Sequence, residues 1–415
     1  MRKILIVGAG HSGLQLALGL QAREYDVTLI SARTADEIRG GRILSTQCMF
    51  GTALAHEREL GLDFWAGQAP QVGGIGVSVA GPEGQRVIDW LGALDAAAES
   101  VDQRLKIAGW LEAFEERGGR VEYGEATPEQ LDRRAHDFDL ILAASGRGGL
   151  GRLFERDPER SPYDTPQRAL SVAYVHGLAP RPEHPDLHAV RTNLVPGAGE
   201  LFVIPGLAPS GPCHMLFFEA VPGGPLDVFG DRPEPQQHLE RTLDLMRRYV
   251  PWEYERATGG VELTDAGGTL AGQVKPEVRT AVGRLPGGAP VLGVADAVVT
   301  NDPITGQGSN NASKCAASYL ESITQRGDSD DPFDAAWMQS AFDRYWRHAA
   351  PATKWSNAML APPPEHILQL FGAAGELQPI ADRFANAFND PADLEHWFYT
   401  PESAGAFLEQ VAARR

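Results

Sequence analysis

The chain has 415 residues, 43% hydrophobic and 22% charged, the balance of a well-packed globular protein too long for one ordinary core, so two closely packed domains are expected. Thirty-seven Lys and Arg against 55 Asp and Glu give a net charge of −18, which opposes nucleic acid or an anionic membrane as partner. No stretch approaches the roughly 18 apolar residues of a membrane span, and Cys48, Cys213 and Cys315 offer neither a disulfide framework nor metal-ligand spacing, so no metal and a reducing cytoplasm are expected.

Arg2 and Lys3 lead into only a short apolar run, so no secretory leader is expected. Lys3 to Val7 reads as a buried strand that enters Gly8-Ala9-Gly10-His11-Ser12-Gly13, Leu14 to Gln21 as a helix, and Asp26 to Ser31 as a second strand. Val101 to Glu116 reads as a helix stopped by Gly118-Gly119, followed by a short strand at Arg120 to Tyr123. Leu140 to Ala144 is a buried strand ending in Ser145-Gly146. Between Arg168 and Val221, alternation such as Leu170-Ser171-Val172-Ala173-Tyr174-Val175 predicts an antiparallel sheet. Val291 to Val294 is again a strand, ending at Ala295-Asp296, and Gly306-Gln307-Gly308-Ser309-Asn310 opens a helix running to about Ile323. From Pro332 the chain is mostly helical, with Trp337, Trp346 and Trp355 at packing intervals and Pro362-Pro363-Pro364 as a rigid turn. Acidic residues are dispersed as pairs such as Glu115-Glu116 and Asp330-Asp331, which read as solvated surface.

Gly8, Gly10 and Gly13 stand in the strand–turn–helix context of a dinucleotide fingerprint. The first permits the tight turn, the second admits a pyrophosphate, the third lets helix pack on strand, and the anion meets the helix N-terminus beside Ser12. The acidic residue that usually ends the second strand is missing, because that strand ends Leu29-Ile30-Ser31 and Asp36 and Glu37 come too late. A second motif separates FAD from NAD. Asp296 can accept hydrogen bonds from ribityl hydroxyls. The N–H groups opening the helix after Gly306 can hold the electron-rich edge of an isoalloxazine.

These residues resemble the flavoprotein aromatic monooxygenases of the hydroxybenzoate hydroxylase type, whose second signature is Gly-Asp followed by a Pro-x-x-Gly-x-Gly-x-Asn loop. Pro303, Gly306, Gly308 and Asn310 match it, and Ala295 replaces the glycine before Asp296. Within that fold the chain is more similar to the oxygenase component of styrene and indole monooxygenases. The similarity runs end to end, through Gly-Gly-Arg-Ile-Leu-Ser-Thr at 40–46, Val101-Asp102-Gln103-Arg104-Leu105, Pro166-Gln167-Arg168-Ala169-Leu170, Asp302 to Gly308, and Ala352-Thr353-Lys354-Trp355-Ser356-Asn357.

The resemblance implies an α/β fold with a Rossmann-like FAD-binding domain, residues 1–165 plus 275–330, in which 45–100 contributes pocket segments. That domain is interleaved with an antiparallel β-sheet substrate domain, 166–274, and followed by a helical C-terminal region, 331–415. It implies FAD supplied in reduced form by a separate NAD(P)H-dependent flavin reductase, and epoxidation of a small aromatic by O₂ through a flavin C4a-hydroperoxide. By position in the family, Arg42 and Arg104 contact pyrophosphate or flavin; as bare arginines they read as solvated charge. Gln307 and Ser309 join the cofactor set through their place in the second motif. A homodimer and a monomer both stay open.

The two branches of the resemblance differ in the pocket. Styrene-type members place Asn, Val and His where this chain has Ser45, Gln47 and Met49, whereas indole-type members place Ser, Gln and Met. Val72, Ile75 and Ala98 also match the indole-type pattern. Ser45 to Met49 reads as a strand-like alternation that points Ser45, Gln47 and Met49 to one side, where Gln47 or Ser45 can accept an indole N–H. On residue type alone, Met49, Val72 and Ile75 read as plain core, and it is the joint match to the branch pattern that favours the pocket. No acid–base residue is expected, since the flavin carries the chemistry, and His11, His56, His176 and His214 read as surface or capping residues. A styrene-type epoxidase or sulfoxidase, a single-component hydroxylase and a flavin-storage protein are the alternatives.

Overall fold

In a computed structural model of the chain, residues 2–145, 149–327, 329 and 331–414 are described, so Gly146 and Asp330 lie outside the described residues. Strand Lys3–Val7 is buried from Ile4 onward and pairs in parallel with Asp26–Ser31 on one side and Leu140–Ala143 on the other. Such continuous Val, Ile and Leu runs are what a parallel sheet covered on both faces demands. Arg120–Tyr123 extends this sheet in parallel beyond Asp26–Ser31, Pro290–Gly293 joins Leu140–Ala143, and Val282–Arg284 closes the edge antiparallel. Helices His11–Gln21 and Gln307–Arg326 pack on it, close enough that a Cβ at Gly19 would sit 2.6 Å from Leu320 Cδ2.

The second sheet is built on Ala169–His176, Ala189–Val195, Gly199–Ala208 and Gly211–Ala220, antiparallel as their alternation requires. It differs from the 166–274 boundary in one respect: Val72–Ala80 and Arg86–Ala98 belong to it, with Val72–Ala80 lying parallel to Ala189–Val195. Residues 72–80 and 86–98, expected with the FAD domain, thus form the far edge of the second sheet. Helices Ala335–Met359, Glu365–Ala374, Gln378–Asn386 and Pro401–Ala412 cover that end. There Trp90, Trp355, Phe371, Phe384 and Phe388 share one core with Val72, Ile75 and Ala98. Among the described residues, no helix is long and apolar enough to cross a membrane.

Candidate active site

The first helix begins at His11 with Gly10 as its N-cap, and no side chain caps it. Gly8 has φ +116°, a conformation that glycine alone adopts freely. A Cβ on Gly13 would lie 2.0 Å from the Gly8 carbonyl oxygen, so only glycine lets the helix approach the turn. A Cβ on Gly10 would meet nothing within 4 Å. The middle glycine therefore borders open space in front of uncapped N–H groups, which is where an anion is held.

The second helix, Gln307–Arg326, repeats this arrangement. Gly306 is its N-cap at φ +62°, again without a side-chain cap, and the Cβ positions of Gly306 and Gly308 are open. Pro303 starts the short turn Pro303–Thr305 before it, and Asp302 Oδ1 accepts from Ile304 N. Asp296 lies in the turn Ala295–Ala297, solvent-accessible yet surrounded by enough protein that desolvation pushes its carboxyl up to about 6. Ala295 holds φ +49°, the left-handed conformation for which the resembling signature uses glycine. Two uncapped helix starts, open at their glycines, plus an accessible carboxylate, are the donor and acceptor set that a flavin dinucleotide needs.

Other expected contacts are placed differently. All five N–H groups of Arg104 are taken: Nε and Nη2 by Asp102, Nη1 and Nη2 by Asp265 at 2.9 and 2.8 Å, and Nη1 also by the Gly41 carbonyl. It is a buried brace whose donors are all engaged within the protein. Arg42 is exposed and makes no hydrogen bond or ion pair among the described residues, so its guanidinium is available. The Asn310 amide is engaged within the protein. Its Nδ2 donates to the Cys48 and Gly306 carbonyls at 2.8 and 3.0 Å, and its Oδ1 accepts from Phe50 N at 2.9 Å. The Gln307 side chain turns away to the carbonyls of Thr305 and Phe388. Ser309 Oγ accepts from Gln103 Nε2 at 3.4 Å, and Ser12 is buried at the first helix start.

The segment Ile43 to Cys48 is not a strand but an irregular strap between the two sheets. Its backbone is satisfied by side chains that sequence alone did not single out. Tyr174 Oη donates to the Ser45 carbonyl at 3.1 Å, Ser100 Oγ to the Gln47 carbonyl at 2.6 Å, and Ile43 N to the Gly267 carbonyl at 3.0 Å. Met49 makes a two-way backbone bridge with Glu99. The expected single wall divides. Ser45 is exposed and accepts from Gln103 Nε2 at 2.9 Å, while Gln47 and Met49 are buried. Val72 and Ala98 are directly paired, and with Ile75 they pack beside Cys48, whereas Met49 packs with Ala53 and Leu54 on the other side. Gln47 Nε2 donates to the Val101 carbonyl at 2.5 Å, and its Oε1 is buried without a donor among the described residues.

His11 also departs from expectation. It is buried beside Trp110, its Nε2 is 3.5 Å from Glu57 Oε1, and burial with Lys106 nearby keeps it neutral, well below 6.5. Lys106 Nζ donates to both Glu57 oxygens at 2.7 and 2.8 Å beneath the first helix start. A histidine directly after the middle glycine carries no sequence signal that separates this buried place from a surface one.

A family model described as the styrene monooxygenase A putative substrate binding domain matches residues 146–256. Styrene monooxygenase StyA of Pseudomonas fluorescens is 32% identical over 428 residues, 99% of this chain and 98% of that protein, and a StyA of a Pseudomonas sp. is 32% identical over 430. Among solved structures, the flavin-dependent brominase Bmp2 superposes over 100% of both chains at TM-score 0.68 and 15% identity. The 2-methyl-3-hydroxypyridine-5-carboxylic acid oxygenase does so over 96% of this chain and 97% of that one at TM-score 0.57 and 14% identity. At such identity those likenesses speak for the fold alone. The full-length identity decides the rest: the chain belongs to the styrene monooxygenase family of FAD-dependent monooxygenases.

Proposed function

We propose that the chain is the oxygenase component of a two-component monooxygenase that converts indole to indole 2,3-epoxide, with reduced FAD delivered by a separate NAD(P)H-dependent flavin reductase. The observation that carries the substrate choice is Gln47 Oε1, a buried acceptor left without a donor among the described residues. An indole N–H satisfies it; styrene has no such group and leaves it unpaired, and a buried unpaired acceptor costs about 1 to 3 kcal/mol. Val72, Ile75 and Ala98, each 0% exposed, supply the dry apolar side against which a ring is oriented. The chemistry supplied by bound reduced FAD is activation of O₂, one oxygen atom passing to the ring double bond and the other leaving as water. The Gly10 and Gly306 helix starts hold the cofactor's anionic and electron-rich parts, Asp296 its hydroxyls, and Arg42 adds a free cation.

The test is turnover of indole and styrene in competition, with a flavin reductase, NADH and FAD supplied. Indole should be preferred several-fold and yield indigo, and Gln47→Leu should erase that preference by slowing indole alone. Faster styrene turnover, or an unchanged ratio in Gln47→Leu, sinks the indole reading while leaving the family assignment intact. NADH consumption by the chain and FAD without a reductase would instead favour a single-component hydroxylase.

A further inference from the structure

Beneath the loop that opens the second flavin helix lies a group of acids that neither the cofactor nor the substrate contacts account for. Asp302 and Glu219 are both 0% exposed. Glu219 lies on strand Gly211–Ala220, in register with Glu200 on Gly199–Ala208. Arg168 donates to Glu200 from Nε at 2.9 Å and from Nη2 at 3.1 Å, so Glu200 has its counter-ion. No N–H or O–H among the described residues reaches Glu219 Oε1, Glu219 Oε2 or Asp302 Oδ2; the two carboxyls are hydrogen-bonding neighbours, and Asp302 Oδ1 also takes the Ile304 N–H.

The charges cannot all be present. Among the described residues, Glu219, Glu200 and Asp302 face a single cation, Arg168. The remaining titratable neighbour, Tyr163, is neutral and spends its O–H on the Asn357 carbonyl. Full ionisation would bury two uncompensated negative charges, the most expensive arrangement a protein interior can hold. One proton between the two carboxyls removes a charge and turns two facing acceptors into a donor and an acceptor.

We propose that Glu219 is a positioning residue: it keeps its proton, donates it in a hydrogen bond to Asp302, and so clamps the Asp302–Gly306 loop of the flavin site to the substrate sheet. Burial first, then the charges of Asp302 and Glu200, push its carboxyl well above the ordinary 4.5. The folded chain then holds a proton that the unfolded chain has released. The contribution of Glu219 to stability is therefore full below about 4.5 and is lost as pH rises through the folded value. When that proton leaves, the two carboxylates repel, the loop loosens, and flavin affinity falls with it.

The test uses the full-length chain, as thermal unfolding without flavin and as FAD binding, from about pH 6 to about pH 9. Glu219→Gln keeps an N–H donor without the proton. It should flatten the fall of Tm with pH, hold FAD affinity steady where the wild type loses several-fold, and remove a protonated-carboxyl C=O band from the infrared spectrum. Glu219→Leu should flatten the Tm profile too but weaken FAD several-fold at every pH, because no donor reaches Asp302. Should Glu219→Gln not fold, Glu219→Leu carries the Tm and infrared readouts. A Tm profile in the variants as steep as in the wild type, or a protonated-carboxyl band unchanged by them, overturns the proposal.

Discussion

Gly8, Gly10 and Gly13 are one residue type used for three physical reasons. Gly8 needs its left-handed backbone, Gly13 needs the absence of a Cβ against the Gly8 carbonyl, and Gly10 has space to spare. The fingerprint was legible in the sequence because each reason acts between near neighbours in the chain. The same locality made the turn that carries Asp296 legible. The internal partners of Arg104 and Asn310, Asp265 and Gly41 for one and Cys48 and Phe50 for the other, were not legible because they are far away in sequence. A concrete expectation follows from the glycines. Gly10→Val should fold with an unchanged Tm but bind FAD at least tenfold more weakly, since its side chain enters only the ligand's space. Gly13→Val should lose the fold, since something must move by more than 1 Å. Thermal melts beside FAD titrations separate the two, and equal loss of Tm in both variants would mean that Gly10 faces protein rather than ligand.

Among the elements, the central strands and the flanking helices could be read from periodicity, because burial on one or two faces writes itself into the pattern, whereas Val72–Ala80 and Arg86–Ala98 were not read as strands. The strap from Ile43 to Phe50 could not be read in this way. It alternates like a strand but pairs with no strand ladder, and its polar backbone is met one group at a time by Tyr174, Ser100 and Asn310. Neighbouring residues of the strap part company, Cys48 joining Val72, Ile75 and Ala98 and Met49 joining Ala53 and Leu54. Asn310 makes this strap one unit with the second flavin helix. Asn310→Ala removes its hydrogen bonds and strands the Cys48 carbonyl and Phe50 N–H, at about 1 to 3 kcal/mol for each buried group left unpaired. The expected result is a loss of about 2 to 6 kcal/mol in denaturant unfolding, with weaker FAD binding and a raised KM for the aromatic substrate together. A change in KM alone, with stability and FAD binding intact, would show that Asn310 touches substrate and does not brace the strap.

At the scale of the molecule, the helical C-terminal region behaves as part of the substrate sheet rather than as an appendage. Arg86–Ala98 pairs with Val72–Ala80 on one side only, and its other edge would be a row of open backbone groups, a template for edge-to-edge aggregation. Helix Gln378–Asn386 closes it with side chains. Asp382 accepts from Ala93 N at 2.8 Å, Asn386 accepts from Asp95 N at 2.9 Å and donates to the Ala93 carbonyl at 3.0 Å, and Gln378 donates to the Leu91 carbonyl at 2.8 Å. The approach is so tight that a Cβ on Gly92 would fall 2.1 Å from the Ala381 carbonyl oxygen. Sequence periodicity announces such a helix but not its partner, because Asp, Asn and Gln on a helix read as solvent-facing. Replacing Gln378, Asp382 and Asn386 together by Ala keeps a strong helix former at each position and leaves the apolar face of Ile380, Ala381 and Phe384 in place. What is lost is four half-exposed hydrogen bonds at about 0.5 to 1 kcal/mol each, so about 2 to 4 kcal/mol of stability. The strand edge is uncovered at the same time, so light scattering should rise with protein concentration well below the wild-type unfolding temperature. A triple variant that unfolds at the wild-type denaturant midpoint and stays monodisperse would show that apolar packing alone seats the helix, and that its polar side chains are incidental to the edge.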